Sequence, residues 1–426
     1  MRSNGGKNRR EAPAARRRTR TATILSASAL LERRIRTRLE KHLIRLGFER
    51  ELDGSLRPPS SSKDSIRSLH LLQRVERLRE NQSWLRAHTA GVLTSFADGS
   101  EVRPEAIRPV LHLVEADTPD SILFRWASLT WSVPVSQGYG RRLRFLVWDE
   151  SNGKLIGLIA LGDPPFNLSA RDSLIGWSSA DREDRLVYVM DAFILGAVPP
   201  YNRLLGGKLV ATLIRTKEVA EQFRRRYTKA RGLISGKSKH AYLAAVTTAS
   251  ALGRSSVYNR LVLDGQRYLT PIGFTGGWGH FHIPGDLFDD MRQYLSIRRH
   301  GYVNGYEFGD GPNWRLRSIR ATLDLIGFDF DLLRHGIKRE LFVCWLADNA
   351  LNLLRGTAKR PNYQSLLSVG EVARLAVNRW MIPRAARDPS YVDWRAADLV
   401  DYVNWRAILT EQAISTRSQS QASERS

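Results

Sequence analysis

The sequence predicts an α/β protein in which a central sheet lies between two helical regions of the chain. A hairpin pattern precedes a long apolar strand over 186–198, and a glycine turn with an amphipathic helix follows that strand. Elsewhere, apolar residues recur mostly at helical spacing. These observations place the α/β domain at 135–285, between helical regions at 21–134 and 286–410.

The first part of the chain is predicted to hold a basic arm and a helical accessory region. Residues 1–20 are rich in arginine, alanine and glycine, a composition typical of a disordered segment that binds phosphates without sequence preference. Helical spacing then predicts helices over 21–48 and 64–92, separated by coil rich in proline and serine. Further helices are predicted over 104–131, with Thr118-Pro119-Asp120 as a start signal.

A hairpin is predicted to open the α/β domain. Its strands are expected over 143–148 and 155–161, because Ser151-Asn152-Gly153 between them is a strong turn signal. A polar loop follows over 163–184. Since a loop of about 20 residues inside a compact domain is usually functional or holds short structure of its own, we expect it to pass beside the site.

The strand predicted over 186–198 organises this domain. Its residues are β-branched, aromatic or aliphatic with one polar interruption at Asp191, as expected for a central strand that is buried on both faces. Pro199 and Pro200 end the strand, because proline has no N–H to donate to a sheet ladder. From Leu205 to about Arg226, the apolar residues predict one amphipathic helix.

The remaining elements complete the sheet, and the chain then becomes helical. A strand is predicted over 241–248, a turn and short helix over 249–261, and two last strands over 268–274 and 279–283. Helical spacing then predicts helices over 287–297, 316–325, 331–354, 363–380 and 392–409. The serine-rich tail at 411–426 is predicted to be disordered.

The glycine turn after the central strand is a candidate phosphate site. Gly206 and Gly207 at the start of a helix would let backbone N–H groups approach an anion, and Arg203 and Lys208 add positive charge beside them. These four residues are the predicted cofactor-binding residues. Alternatively, the glycines only allow the helix to pack closely on the strand.

Asp191 and Tyr258 are the predicted catalytic residues. An unpaired carboxylate in an apolar strand is costly, so Asp191 should be hydrogen-bonded, ion-paired or functional. Tyr258 follows the strand that ends near residue 248 and could donate a proton. A paired structural aspartate and a packing tyrosine are the alternatives.

Other residues support weaker hypotheses. His280 and His282 alternate on a predicted strand and share a face, but the sequence names no third ligand, so no metal site is predicted. Trp278 and Tyr302 could stack bases or pack in the core or its rim. Cys344 is the single cysteine, so no intrachain disulfide can form, a reducing cytoplasm fits, and an inert packed thiol is expected.

The net charge points to an anionic partner. The chain has 66 Lys and Arg residues against 43 Asp and Glu residues, a formal net charge of +23. Nucleic acid is the usual partner of such a protein, and solubility alone is the alternative. The basic start and the short apolar run after it lack a convincing cleavage site, and no apolar stretch approaches the roughly 20 residues of a membrane span. We therefore expect a cytoplasmic protein without membrane contact.

The order of the predicted elements resembles the GNAT acyltransferase fold. In that family the turn after the central strand reads Arg or Gln, two residues, Gly, one residue, then Gly or Ala, and its amides hold the pyrophosphate of an acyl-CoA. Arg203, Gly206 and Lys208 occupy those places here, with a lysine where the last small residue would be. The resemblance implies a GNAT-like mixed sheet, acyl-CoA as a possible cofactor and N-acyl transfer as an alternative activity.

A closer resemblance covers residues 139–335. Its marks are Tyr139-Gly140-Arg141-Arg142-Leu143-Arg144-Phe145, the hairpin ending in Leu161-Gly162, the segment Arg171-Asp172-Ser173-Leu174-Ile175-Gly176-Trp177 and the turn over 199–208. They are similar to the DruA family of the Druantia anti-phage defence systems, whose domain also occurs fused to insertion-sequence transposases. The resemblance implies a defence component that acts beside other proteins encoded nearby, and it implies no known reaction. A transposon-associated DNA-binding protein and a non-catalytic scaffold are the remaining alternatives.

Overall fold

A computed structural model provides the architecture of the chain. It describes residues 13–52, 56–57, 63–135, 140–228, 242–276, 282–298, 300, 314–329, 333 and 337–410. The chain divides into two compact units, a smaller one within Met1–Leu69 and Trp278–Gly336, and a larger one within His70–Gly277 and Ile337–Ser426.

The helices and strands follow one another along the chain. The helices are α1 (Pro13–Arg45), α2 (Lys63–Glu80), α3 (Gln82–Leu93), α4 (Pro119–Ser128), α5 (Ser169–Ile175), α6 (Ser179–Arg185), α7 (Gly206–Thr212), α8 (Lys217–Tyr227), α9 (Gly285–Ile297), α10 (Trp314–Leu325), α11 (Ala350–Arg355), α12 (Val369–Ala376), α13 (Ile382–Arg387) and α14 (Leu399–Tyr402). The strands are β1 (Glu49–Arg50), β2 (Leu56–Arg57), β3 (Pro109–Leu113), β4 (Arg142–Asp149), β5 (Lys154–Gly162), β6 (Val189–Ala197), β7 (Ala245–Ala249), β8 (Val262–Leu263), β9 (Gln266–Arg267), β10 (Thr270–Phe274) and β11 (Glu340–Trp345).

The smaller unit is built mainly from α1, α9 and α10. Ile35, Leu39 and Leu43 recur every four residues on α1 and are fully buried, as the predicted amphipathic pattern requires. Arg38 of α1 pairs with Asp290 of α9. The apolar stripe and this ion pair hold α1 on α9.

The larger unit is organised around a seven-stranded mixed sheet with the strand order β10-β11-β7-β6-β5-β4-β3. β6 and β7 pair in parallel, whereas the other neighbours pair antiparallel. β6 lies fourth in this order, so the strand predicted over 186–198 is central. The α/β class with a mixed sheet is therefore confirmed.

The predicted hairpin consists of β4 and β5. Its turn closes through a hydrogen bond of 2.8 Å from the Gly153 N–H to the Asp149 carbonyl oxygen, and Gly153 has a φ of +69°. Glycine adopts this left-handed conformation without steric cost, which explains why the turn signal in the sequence is reliable.

The two faces of the sheet are covered by different helices. Met190 and Ala192 of β6 pack with Leu209 of α7 in the main core. Val189 of β6 packs with Ile175 of α5 in a second cluster on the other face. Since side chains alternate along a strand, odd-numbered positions at the start of β6 face α5 and even-numbered positions face α7. We call these two sides the α5 face and the α7 face.

The helix predicted over 331–354 is wrong in its middle. Glu340–Trp345 forms β11, which inserts between β10 and β7 and is buried along most of its length. A short, continuously apolar run fits a buried strand as well as a buried helix, and periodicity alone does not separate them. β3 also belongs to the sheet although it lies before residue 135, so the sheet draws strands from beyond 135–285.

The single helix predicted from Leu205 to about Arg226 is also wrong, because it breaks between α7 and α8. The Thr212 hydroxyl donates to the Leu209 carbonyl oxygen at 2.7 Å, and the Thr216 hydroxyl donates to the Leu213 carbonyl oxygen at 2.9 Å. Threonine side chains that bond nearby carbonyls compete with helix propagation, which accounts for the break.

Three other predicted segments can be compared with the structure. The loop predicted over 163–184 holds short structure of its own, α5 and α6, as one of its two alternatives expected. In contrast, α1 begins at Pro13, so residues 13–20 are helical rather than disordered. The predicted arm at 1–12 and the tail at 411–426 lie outside the described residues. Of the strand predicted over 279–283, residues 279–281 also lie outside them, and 282–283 belong to no strand.

Candidate functional site

Gly206 opens α7 in a closely packed environment. Its N–H donates to the Tyr201 carbonyl oxygen at 2.8 Å. A Cβ atom at this position would lie 2.6 Å from that same oxygen and 3.1 Å from the Ala197 Cβ. Gly206 therefore lets the turn close on the end of β6, and its amide is already engaged within the protein.

The residues on either side of Gly206 have different properties. Leu205 adopts the left-handed conformation with a φ of +60°, which is unfavourable for a side chain that carries a Cβ. Gly207 faces open space, since a Cβ there would meet no atom within 4 Å. Strained backbone of this kind is often found at ligand sites, so the turn remains a candidate site even though Gly206 serves packing.

Two arginines from distant parts of the chain act electrostatically on Lys208. Its ammonium lies 5.1 Å from the centre of the Trp380 ring. Burial lowers the pKa of Lys208, and the positive charges of Arg260 and Arg379 lower it further. We call Lys208, Arg260 and Arg379 the cation cluster.

The cation cluster has no acidic counterpart among the described residues. None of its three side chains forms an ion pair or a hydrogen bond within the described part of the chain. Arg379 and Trp380 lie in a π-helical turn, Val377–Met381, between α12 and α13. Such turns interrupt α-helices frequently at functional sites. Within the described part of the chain, the cluster therefore has capacity to accept an anion.

Arg203 does not join the cation cluster. Its guanidinium donates to the Ser390 carbonyl oxygen at 3.1 Å and lies 5.1 Å from the centre of the Trp394 ring. These contacts tie the turn to the segment after α13. Of the four predicted cofactor-binding residues, Gly207 thus faces open space, and the Lys208 side chain makes no hydrogen bond or ion pair within the described part of the chain.

Asp191 has partners on the α5 face of the sheet. Its carboxylate accepts a hydrogen bond of 2.6 Å from the Thr247 hydroxyl of β7. Burial raises the pKa of Asp191 to about 6, and it outweighs the opposing effects of the Thr247 hydrogen bond and of the Arg171 charge. A carboxyl group with this pKa can exchange a proton near neutral pH.

Asp191→Asn is expected to gain stability over the natural protein as the pH rises from about 4.5 to about 7.5. The pKa of Asp191 in the folded protein, about 6, exceeds the unfolded value of 3.8, so ionisation disfavours the folded state. This penalty is absent below about pH 4 and complete above about pH 6–7, where it is on the order of 1–3 kcal/mol. Urea denaturation at both pH values measures it, and a stability difference that does not change with pH would contradict the assignment.

Tyr258 lies on the opposite face of the sheet from Asp191. Its ring packs edge-on against Phe342, with the centroids 5.4 Å apart, and burial raises its pKa to about 12. Phe342 pairs with Thr248, whereas Asp191 pairs with Thr247. Neighbouring residues of a strand point to opposite faces. The structure therefore does not bring the two predicted catalytic residues together.

Arg171 and Asp172 form a buried ion pair in α5. The Arg171 Nε donates to the Asp172 carboxylate at 2.8 Å. Its two terminal nitrogens donate to the carbonyl oxygens of Pro165 at 2.9 Å and Phe166 at 3.0 Å. The pair thus fixes the loop before α5, and it explains why an arginine can be 2% exposed there.

Sequence reasoning missed Arg260, Arg379 and Trp380. Arg260 was part of a predicted short helix, and the other two end a predicted helix over 363–380. A pattern within one helix does not reveal which distant segment it meets. The local signal that could have drawn attention to them is an arginine beside a tryptophan at a helix end.

Several predicted features lie beyond these sites or beyond the described residues. Tyr139, Trp278, His280 and Tyr302 are outside the described residues. Cys344 is buried, and burial raises the pKa of its thiol to about 12, as expected for an inert packed residue. Among the described residues, no three His, Cys, Asp or Glu side chains are grouped to hold a metal ion. No described helix combines the length and the apolar character needed to cross a membrane.

Known proteins match this chain over most of its length. The model of a family described as Druantia protein DruA matches residues 60–356. A Druantia protein DruA from Escherichia coli (strain UMEA 4076-1) is 52% identical over 375 residues, which cover 88% of this chain and 93% of that protein. The matched region includes α5, the turn before α7 and β11.

Proposed function

Because this chain belongs to the DruA family, we propose that it acts as a component of a Druantia anti-phage defence system and contacts nucleic acid through the cation cluster. The other proteins of that system are its expected partners. Lys208, Arg260 and Arg379 would each contact the phosphate backbone, and no base-specific contact is part of the proposal.

The absence of acidic partners among the described residues is the observation that supports this proposal. Like charges repel one another, and the charges of Arg260 and Arg379 act on Lys208 strongly enough to lower its pKa, so an anion bound beside the three cations would be stabilised. Phosphate groups of nucleic acid are the anions that such clusters most often bind. The formal net charge of the whole chain, +23, also favours nucleic acid as a partner.

Packing alone explains Lys208 less well. A lysine whose stem only fills space would keep its ammonium in water, away from other cations. Here Lys208 lies over Trp380 beside two arginines, where burial and repulsion both lower its pKa. The negative charge of a bound phosphate would offset these two effects and stabilise the charged form of Lys208.

The triple substitution Lys208→Ala, Arg260→Ala and Arg379→Ala is expected to reduce the salt dependence of DNA binding. Each lost phosphate contact lowers the slope of log affinity against log salt concentration by about 0.9 for duplex DNA, so the slope should fall by about 2–3. Fluorescence anisotropy of a labelled duplex at several salt concentrations measures the slope. Thermal denaturation of the variant checks that the fold is kept.

Arg225→Ala is the matched control. Arg225 is also an exposed arginine, but it pairs with Glu221 on α8 and should contribute little to an anion site. An unchanged slope in the triple variant, or an equal loss in Arg225→Ala, would contradict the proposal. A thermal shift with coenzyme A or acetyl-CoA that the triple variant abolishes would instead assign the cluster to a cofactor pyrophosphate.

A further inference from the structure

A cavity of about 390 Å³ lies at α5 and α6, on the α5 face of the sheet. Its lining includes Asn167, Ser169, Asp172, Ser173, Trp177 and Arg182. The volume falls in the range of small-ligand pockets, about 300–1,000 Å³. The cation cluster is on the α7 face, so this cavity is a separate site.

Part of the cavity wall is rigidly held. Asp172 accepts hydrogen bonds from the Arg171 side chain at 2.8 Å and from the Leu168 N–H at 3.1 Å. The Trp177 indole donates to the Leu354 carbonyl oxygen at 2.7 Å, and the Arg171 guanidinium lies 5.3 Å from the centre of its rings. A wall in which the polar groups are fixed in this way needs little reorganisation to receive a ligand.

The remaining polar groups of the cavity have hydrogen-bonding capacity to spare. Asn167, Ser169 and Ser173 make no side-chain hydrogen bond within the described part of the chain. The Arg182 Nε is buried and lacks a hydrogen-bond partner among the described residues. Buried donors are rarely left unsatisfied, so a turn of the Arg182 side chain that lets a bound group accept from its Nε would remove a cost.

An exposed aromatic ring stands beside these groups. Phe166 is 43% exposed although it is a large apolar residue, and its ring lies 5.3 Å from the Arg182 guanidinium. The carbonyl oxygen of Phe166 is held by Arg171 at 3.0 Å, so the backbone that presents the ring is fixed. An exposed ring on a fixed loop provides a stacking surface for a planar ligand.

We propose that this cavity binds a nucleobase, stacked on Phe166 with its polar edge toward Asn167, Ser173 and Arg182. Asp172 pairs with Arg171 and also contacts Arg182, and a planar ring with donors and acceptors on its edge matches the guanidinium, amide and hydroxyl groups that line the cavity. An amide such as Asn167 can pair with two groups on a base edge. The inference goes beyond the proposed phosphate contacts, since a base is recognised apart from the backbone.

The base could belong to a free nucleoside or to an unpaired position of a strand. Free deoxynucleosides are the first probe, because they lack the phosphate that the cation cluster would bind. The second probe is a labelled single-stranded oligonucleotide, and the third is the same oligonucleotide with abasic sites in place of its central nucleotides. Ligand-observed NMR with the full chain measures nucleoside binding, and fluorescence anisotropy measures strand affinity.

Phe166→Ala is expected to weaken binding of the intact strand roughly tenfold, as for loss of one stacked base, and to leave the abasic strand unaffected. Loss of nucleoside binding in Phe166→Ala identifies a free base as a ligand, and a loss seen only with the intact strand identifies an unpaired base. Equal binding of the natural protein and Phe166→Ala to every probe overturns the inference.

Two further variants keep the outcome interpretable. Ser173→Leu adds bulk to the cavity from an exposed position of α5 and should weaken binding of the base. It tests the inference if Phe166→Ala lowers the midpoint of thermal unfolding. Tyr402→Ala removes another aromatic ring, 40% exposed, which packs against Trp394 and should change no binding. The triple variant of the cation cluster should weaken intact and abasic strands alike, so failure of the proposed function and failure of this inference give different results.

Discussion

Replacing Arg171 with leucine is expected to lower the free energy of unfolding by about 3–5 kcal/mol. Arg171 is 2% exposed and Asp172 is 7% exposed, so the substitution leaves a buried carboxylate without its main counter-charge. It also removes the guanidinium N–H groups that donate to the carbonyl oxygens of Pro165 and Phe166. Urea denaturation of the purified variant measures the loss.

Arg185→Leu provides the control for this effect. Arg185 pairs with Asp181 on the neighbouring helix α6, but both side chains are about 30% exposed. A partly exposed pair of this spacing contributes only about 0.2–1 kcal/mol. If Arg171→Leu costs no more than Arg185→Leu, the buried pair does not stabilise the loop as argued.

The double substitution Arg171→Leu with Asp172→Leu separates stability from function. Removing both charges avoids the uncompensated carboxylate, so much of the lost stability should return. The Arg-Asp segment is also the most specific mark of the DruA resemblance. If the double variant is stable and cells that carry it still resist phage, the ion pair serves the fold alone.

Gly206→Ala is expected to lower the stability of the protein, and Gly207→Ala to leave it unchanged or raise it. The new methyl group at Gly206 would lie 2.6 Å from the Tyr201 carbonyl oxygen, so α7 must shift at a cost of about 1–3 kcal/mol. The methyl group at Gly207 meets no atom within 4 Å. Alanine favours a helix over glycine by up to about 1 kcal/mol, so Gly207→Ala should be neutral or stabilising.

These neighbouring glycines also test the role of the turn. Thermal denaturation ranks the two variants against the natural protein, and DNA binding is measured in parallel. Loss of DNA binding in Gly207→Ala without loss of stability would show that a ligand approaches the turn at that position. A stable Gly206→Ala variant would contradict the close packing on Tyr201.

Local patterns in the sequence were enough to predict the α/β fold class and much of the sheet. The hairpin follows from Ser151-Asn152-Gly153, and the central place of β6 follows from an apolar run interrupted only at Asp191. Asp191 was expected to have a partner, and Thr247 is that partner. The hairpin and the extent of the apolar strand depend on residues close in sequence, where periodicity and turn chemistry decide the conformation, whereas the identity of the Asp191 partner, 56 positions away, does not.

The sequence did not predict the contacts between distant segments. β11 enters the sheet beside β7 through pairing with residues about 95 positions earlier, and a short apolar run carries no sign of its partner strand. GNAT-like strand detail and acyl-CoA binding stay predictions. The Arg-Asp segment marked a family, but its ion pair became visible only with the loop that it holds.

The sequence by itself determined an α/β protein of the DruA family with a central strand, a glycine turn and a strong positive charge. The tertiary structure determined which residues of these parts lie near one another. It placed Asp191 and Tyr258 on opposite faces of the sheet. Asp191 pairs with Thr247, whereas Phe342, which contacts Tyr258, pairs with Thr248, and these neighbouring residues of β7 point to opposite sides. It also placed Arg260 and Arg379 where their charges lower the pKa of Lys208, since only long-range packing sets which charges act on one another.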